Sequence, residues 1–121
     1  MRYSRRMHYT RIYADNEGTS HFEDVSLSLH DSGEIGRLSA PQSASGLIFR
    51  ETSDTYDYSW HPAPRRQWII LLDGAIEIQV GDGSTRRFGG GEILLVEDTS
   101  GSGHRTKQLN AGTRRSLFLP L

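Results

Sequence analysis

Hydrophobic residues along the chain fall in short runs that Gly, Asp, Ser or Pro interrupt every eight to twelve residues. This spacing is typical of an all-β sandwich or barrel, in which tight turns join short strands. The segment Phe22–Leu29 alternates apolar and polar side chains, as expected for a strand with one buried face. No segment has the periodicity of an amphipathic helix. The pattern therefore predicts about eight to ten strands without crossover helices.

The clearest strand predictions lie in the second half of the chain. Arg66–Asp73 and Ala75–Val80 meet at Asp73-Gly74, a dipeptide typical of hairpin turns. Further strands are predicted at Gly46–Arg50, Asp54–Trp60, Thr85–Phe88, Glu92–Glu97 and Arg114–Leu119. This order favours antiparallel sheets closed as a jelly-roll barrel. We expect one domain over residues 1–121, with a barrel core at about 20–120 and with residues 1–6 as a ragged extension.

Composition limits the chemistry that the 121 residues can perform. The chain has no cysteine, which excludes disulfides, thiolate metal sites and thiol nucleophiles. Its 14 basic residues balance 15 acidic ones, whereas nucleic-acid binding needs a basic surplus. No apolar run approaches the ~20 residues that cross a membrane, and no secretory signal is present. We therefore expect a cytoplasmic protein whose partner is a small molecule rather than a nucleic acid or a membrane.

Two segments carry the candidate chemistry, Trp60–Gln67 (WHPAPRRQ) and Glu97–His104 (EDTSGSGH). They resemble the two conserved motifs of the cupin superfamily, and in particular its small single-domain subgroup with segments of this kind. The resemblance covers residues 55–108. It implies a cupin-type (RmlC-like) jelly roll in which both segments face the inside of the barrel.

In metal-binding cupins, the two motifs supply three histidines and one glutamate to a divalent metal. The resemblance places His61 at the first histidine, Ala63 at the second, Gln67 at the glutamate and His104 in the second motif. The metal hypothesis thus has His61, Gln67 and His104 as neutral ligands for Fe, Mn, Ni, Co or Zn. Gln67 replaces the only anionic ligand, which weakens the attraction for a dication.

The same residues support a metal-free hypothesis. Histidine, with an ordinary pKa near ~6.5, serves as acid or base at neutral pH, which makes His61 and His104 the candidate catalytic residues. Strand alternation from His61 to Gln67 places Arg65 inside the barrel, where it would bind a carboxylate or enolate beside Gln67. The prolines of this segment leave Arg66 as the alternative.

The residues that alternate with the inward-facing positions of these strands predict an apolar face outside the barrel. These residues are Tyr56, Tyr58, Trp60, Trp68, Ile70 and Leu72. Such a face is too apolar to be left in water, so a second copy of the chain is expected to cover it. The sequence therefore predicts a homodimer.

Charged residues near the second motif leave two interpretations open. Glu97 or Asp98 could orient the imidazole of His104, or both could be exposed charges at a strand edge, which we favour. One residue of the pair Arg114-Arg115 is expected to face inward and the other outward.

These observations predict a small enzyme that acts on an anionic or carbonyl-containing molecule inside the barrel. The reaction type would be isomerisation, dehydration, lyase cleavage or cyclisation, with proton transfer by His61 and His104. A metal-dependent dioxygenase is one alternative, and a non-catalytic small-molecule-binding protein is another.

Overall fold

A computed structural model describes residues 6–121, which form twelve strands and one short 3₁₀ helix. The strands are β1 (His8–Ala14), β2 (Ser20–Ser26), β3 (His30–Asp31), β4 (Arg37–Leu38), β5 (Ile48–Thr52), β6 (Asp57–His61), β7 (Gln67–Leu71), β8 (Ala75–Gln79), β9 (Thr85–Gly89), β10 (Ile93–Val96), β11 (His104–Gln108) and β12 (Arg114–Pro120). The extension expected at residues 1–6 lies outside the described residues, apart from residue 6.

Two sheets build the body of the fold. The larger has the strand order β2-β1-β10-β7-β12-β5, and the smaller has the order β6-β11-β8-β9. Ile12, Leu71 and Leu94 of the larger sheet are fully buried against Ile76 and Ile78 of the smaller one. Burial of side chains of this size contributes about 2 kcal/mol each. The prediction of an all-β jelly roll is confirmed.

The first strand is a departure from the sequence-based expectation. β1 pairs with β10 in parallel orientation, with Ile12 opposite Val96, whereas antiparallel pairing was expected throughout. Its position also moves the start of the core well before residue 20. Only Thr10 and Ile12 of His8–Ala14 are buried, which leaves too weak an apolar alternation to predict a strand.

Three further strands, β3, β4 and β11, were not predicted. β11 has the sequence HRTKQ, in which only His104 and Thr106 are buried, so apolar periodicity does not mark it. β3 and β4 are two-residue strands around the 3₁₀ helix Gly33–Ile35, too short for a periodic pattern.

A bulge changes the side-chain alternation in β6. Its pairing with β11 sets His61 opposite His104 and Tyr58 opposite Thr106, so β6 has one extra residue between the two pairs. A bulge of this kind puts Tyr58 on the same side as His61. The outward position predicted for Tyr56 and Tyr58 is therefore wrong, because both line the central cavity.

Exposed apolar residues are concentrated elsewhere than predicted. Trp60 and Leu72 remain exposed, but Leu47, Ile48 and Phe49 at the edge strand β5 are exposed as well. Phe49 has the largest exposed fraction of these, 78%. The homodimer stays a prediction, with β5 added to the surface that a second copy would have to cover.

Residues 6–121 contain no helix that is both long and apolar enough to cross a membrane. The cytoplasmic location stays a prediction.

His21 of β2 connects two turns in a way that predicts a pH dependence of stability. Its Nε2 lies 2.7 Å from Asp15 Oδ2 and its Nδ1 lies 2.9 Å from Asp82 Oδ2. The hydrogen bond to Asp15, followed by that to Asp82, raises the pKa of His21. Protonated His21 therefore stabilises the fold fully below its unfolded pKa of ~6.5, and this contribution is lost as the pH rises through the raised pKa.

We expect the wild-type melting temperature to fall more than that of His21→Gln between about pH 6 and about pH 9. Circular dichroism melts of both proteins at the two pH values measure the difference. An equal fall in both proteins would contradict this role of His21.

Candidate functional site

A cavity of about 230 Å³ lies between the two sheets. Its middle is apolar, with Ile69, Ile76, Ile78, Leu94 and Val96 among its walls. Pockets for drug-sized ligands are larger, about 300–1,000 Å³, so this cavity suits a smaller molecule. Polar side chains line it in two groups, one of histidines and one of arginines.

The two predicted catalytic histidines face each other across neighbouring strands. His61 is the last residue of β6, His104 is the first residue of β11, and the two are directly paired. Their ring centroids are 4.9 Å apart, and both rings line the cavity. The antiparallel pairing of β6 and β11 therefore brings together two residues that are 43 positions apart in the sequence.

Asp98 is the carboxylate partner of His104. Its Oδ2 lies 2.6 Å from His104 Nδ1, with Asp98 completely buried and His104 only 7% exposed. The backbone carbonyl of Asp98 also accepts a hydrogen bond from the amide of Ala63, at 2.9 Å. Asp98 thus connects the two motif segments, and the favoured interpretation of an edge charge is wrong for it. Glu97 instead forms ion pairs with Arg11 and Arg66.

His61 is held by a backbone contact and a stacked ring. Its Nδ1 lies 2.7 Å from the carbonyl oxygen of Ser59, and Tyr58 stacks on the imidazole at 3.7 Å between centroids. Because a carbonyl oxygen only accepts, Nδ1 of His61 carries the hydrogen and Nε2 of the neutral ring keeps its lone pair. The same reasoning applies to His104, whose Nδ1 donates to the Asp98 carboxylate.

Gly103 explains why a glycine-rich loop precedes His104. Its φ is +72°, and a Cβ at this position would lie 1.9 Å from the carbonyl oxygen of His61. The hydroxyl of Ser20 donates to the Gly103 carbonyl at 2.7 Å and accepts from the Gly81 amide at 2.8 Å. Only a residue without a side chain lets the loop approach β6 closely enough for the histidines to pair.

Gln67 completes the predicted set on the cavity wall, where it is 6% exposed. A metal in this cavity would be held by Nε2 of His61 and His104 and by the amide oxygen of Gln67. The described residues contain no group of three or more His, Cys, Asp or Glu side chains that could hold a metal ion. This set has an amide in place of the carboxylate and Ala63 in place of a third histidine, which weakens its attraction for a divalent metal, and we derive no chemical step through one.

Arg65 does not lie where strand alternation placed it. It is exposed and does not line the cavity, so the expected inward position is wrong. Residues 62–66 form an irregular connection between β6 and β7, which breaks the alternation before it resumes at Gln67. Arg66, the alternative, is also exposed and binds Glu97.

The arginines of the cavity are Arg50 and Arg114, which the site prediction missed. Arg114 is only 4% exposed, and its Nε donates to Gln108 Oε1 at 3.1 Å. Burial, and next the charge of Arg50, lowers the pKa of Arg114. The available signal was the pair Arg114-Arg115, in which Arg114 faces inward and Arg115 binds Asp73 at the surface.

The sequence matches no protein-family model and no curated protein. The structure is similar to the cupin domain of Cnp3 from Schizosaccharomyces pombe, with a TM-score of 0.50, 13% identity, and coverage of 98% of this chain and 86% of that one. The chain has a cupin fold. A candidate ethanolamine utilization protein Q from Salmonella typhimurium is similar to this cupin barrel with a TM-score of 0.48, 13% identity and 97% coverage of both chains. A protein from Neisseria meningitidis has a TM-score of 0.48 and 19% identity over 66% of this chain and 78% of that one.

Proposed function

We propose that this cupin barrel is an enzyme that moves protons on a small anionic or carbonyl-containing molecule, with His61 and His104 as the acid and base. The observation that carries the proposal is the pairing of these two rings on the cavity wall, with Asp98 behind one of them. The Trp60–Gln67 and Glu97–His104 segments additionally support membership of the small single-domain cupin subgroup. The reaction class is isomerase, dehydratase, lyase or cyclase, in which a carbon-bound proton is removed.

The hydrogen bonds of the two imidazole rings support one ring as the base and the other as the acid. Each Nδ1 is committed to a protein acceptor, Ser59 for His61 and Asp98 for His104. Each Nε2 is therefore the atom that exchanges a proton with the ligand. One Nε2 removes the proton from a carbon beside a carbonyl, and the other, already protonated, donates to the carbonyl oxygen as the enol forms. Gln67 would orient the ligand through its amide.

Proton exchange tests the proposal without knowledge of the full reaction. We expect the wild-type protein to catalyse deuterium uptake from D₂O at the carbon beside the carbonyl of short 2-oxo acids such as 2-oxobutyrate, followed by proton NMR. His61→Ala and His104→Ala should each slow this exchange by about 100-fold or more, the typical contribution of a positioned acid or base. His30→Ala, an exposed histidine on β3, is the matched control and should leave the rate unchanged.

Two outcomes would favour the other hypotheses. A protein that binds 2-oxo acids but exchanges no proton is a non-catalytic binding protein. Exchange or oxygen uptake that appears only after addition of Fe, Mn, Ni, Co or Zn would favour the metal-dependent dioxygenase. Exchange that persists in both histidine variants would contradict the assigned roles.

A further inference from the structure

Four polar side chains share one inward face of β5 and β12. In this antiparallel pair, Arg114 is directly opposite Thr52 and Ser116 is directly opposite Arg50. Directly opposed residues project to the same side of a sheet. Arg114, Thr52 and Ser116 are 4%, 8% and 1% exposed, respectively. The result is a cluster of two guanidinium groups and two hydroxyl groups inside the barrel.

The two guanidinium groups converge on one aromatic ring. The Cζ atom of Arg50 lies 5.6 Å from the ring centroid of Tyr56, and that of Arg114 lies 5.7 Å from the same centroid. Arg50 also lies 4.8 Å from the centroid of Phe118. Two positive charges thus contact the same ring beside apolar walls, where their mutual repulsion is screened less than in water.

No carboxylate of the described residues forms an ion pair with Arg50 or Arg114. Residues 1–5, which lie outside the described part, contain no Asp or Glu. The nearby acid Asp73 is bound by Arg115. Buried charges in proteins are ordinarily paired, so the unpaired buried Arg114, with half-buried Arg50 on the same cavity wall, favours a counter-ion from outside the chain.

Two hydroxyl groups of the cluster are also without partners. The Oγ1 of Thr52 and the Oγ of Ser116 are buried and have no hydrogen-bond partner among the described residues. A buried hydroxyl that makes no hydrogen bond costs about 1–3 kcal/mol. Neither residue lines the cavity, so a ligand there would contact the two guanidinium groups and not these hydroxyls.

We propose that Arg50 and Arg114, which both line the cavity, form a subsite for the oxyanion of the ligand, a carboxylate or a phosphate group. The subsite deepens the proposed function, since it names the group that holds the substrate in the cavity. Arginine binds both oxyanions through two parallel hydrogen bonds.

The subsite lies away from the histidines, along the same strand. β11 begins at His104 and ends at Gln108, whose amide oxygen accepts from Arg114. Four residues of a strand span about 13 Å, and Arg114 lines the same cavity as His61 and His104. A ligand bound by its oxyanion at Arg114 would therefore extend its carbon atoms toward the two Nε2 atoms, across an apolar floor of isoleucine and leucine. The inferred ligand is a small organic acid or phosphate ester with a short apolar body.

Isothermal titration calorimetry with two probes, 2-oxobutyrate and inorganic phosphate, tests the subsite. We expect the wild-type protein to bind at least one of them, and the preferred probe identifies the oxyanion as carboxylate or phosphate. Arg114→Met should weaken that binding by about 10-fold or more, because a charge-assisted pair is lost. Arg65→Met removes an exposed arginine outside the cavity and should change the affinity less than about 2-fold.

Thermal melts separate this role from a structural one. Without ligand, Arg114→Met should melt at the same temperature as the wild type or higher, because it removes an unpaired buried charge. A lower melting temperature with unchanged affinity would overturn the subsite, as would failure of the wild type to bind either probe. Should Arg114→Met not fold, Arg50→Met at the other cavity arginine keeps the test decisive, with an expected weakening of about 5-fold.

The histidine variants keep the two proposals distinguishable. His61→Ala should lose proton exchange but retain the affinity for the probe within about 3-fold, since His61 is not in the subsite. Binding by the wild type without exchange removes the proposed enzyme and leaves the subsite. Exchange with an unchanged KM in Arg114→Met removes the subsite and leaves the enzyme.

Discussion

Gly103→Ala is expected to lower the free energy of unfolding by about 3 kcal/mol, which is roughly 10 °C in melting temperature for a domain of this size. The new Cβ would lie 1.9 Å from the carbonyl oxygen of His61 and 2.4 Å from the nitrogen of Pro62. Both are backbone atoms, so no rotamer change relieves the contact. The positive φ of +72° adds strain of about 1–2 kcal/mol for any residue with a side chain.

Gly112→Ala is the matched control for this substitution. Gly112 has nearly the same backbone conformation, with φ +78°, but a Cβ there would meet no atom within 4 Å. Its cost should be the conformational strain alone, about 1 kcal/mol. Urea unfolding of both variants measures the difference, which isolates the close approach of the loop to β6. Equal destabilisation of the two variants would show that the contact between Gly103 and His61 is dispensable.

The same substitution should also disturb the site. Relief of the contact requires the loop and β6 to move apart, and this movement separates His104 from His61. In the deuterium-exchange assay, Gly103→Ala is therefore expected to lose more activity than Gly112→Ala even at a temperature where both variants remain folded.

Much of the fold could be predicted because short, strongly apolar strands carry a period-two pattern. β7 and β8 are examples, since Gln67–Leu71 and Ala75–Gln79 lie within the predicted segments and bury the expected face. β1 and β11 could not be predicted, because Ile12 is the only aliphatic residue among their buried positions and the others are Thr or His. Pairing with neighbouring strands, which local periodicity does not report, makes these segments strands.

The candidate site also contains residues that the sequence predicts and residues that it does not. Motif resemblance placed His61, Gln67 and His104 on the cavity wall, where the structure has them. The inward position predicted for Arg65 was wrong because side chains alternate regularly only within a strand, and residues 62–66 do not form a strand. Arg114 belongs to a predicted strand, but its role depends on two facts absent from a single sequence. These are its burial and its pairing with β5, which brings Arg50 beside it.

Asp98→Asn is expected to destabilise the wild-type protein but to stabilise a variant in which His104 is replaced by Leu. The only side-chain hydrogen bond of the Asp98 carboxyl group within the described residues is that to His104, and its Oδ1 is buried without a partner. His104→Leu therefore leaves a completely buried carboxyl group unpaired, which should cost about 3 kcal/mol. In this background, Asp98→Asn removes the buried charge and should restore about 1 kcal/mol or more.

In the wild-type background, the same Asp98→Asn substitution removes a charge-assisted hydrogen bond and should cost about 1 kcal/mol. The double-mutant cycle thus predicts a coupling energy of about 2 kcal/mol between positions 98 and 104, measured by urea unfolding of the four proteins. Asp98→Asn should also slow proton exchange, since an amide at this position can donate to Nδ1 and select the wrong tautomer of His104. Additive effects on the free energy of unfolding, with an unaltered exchange rate, would show that Asp98 neither pairs with His104 nor positions it. A coupling energy of the expected size together with slower exchange would show that Asp98 contributes both to stability and to the position of His104.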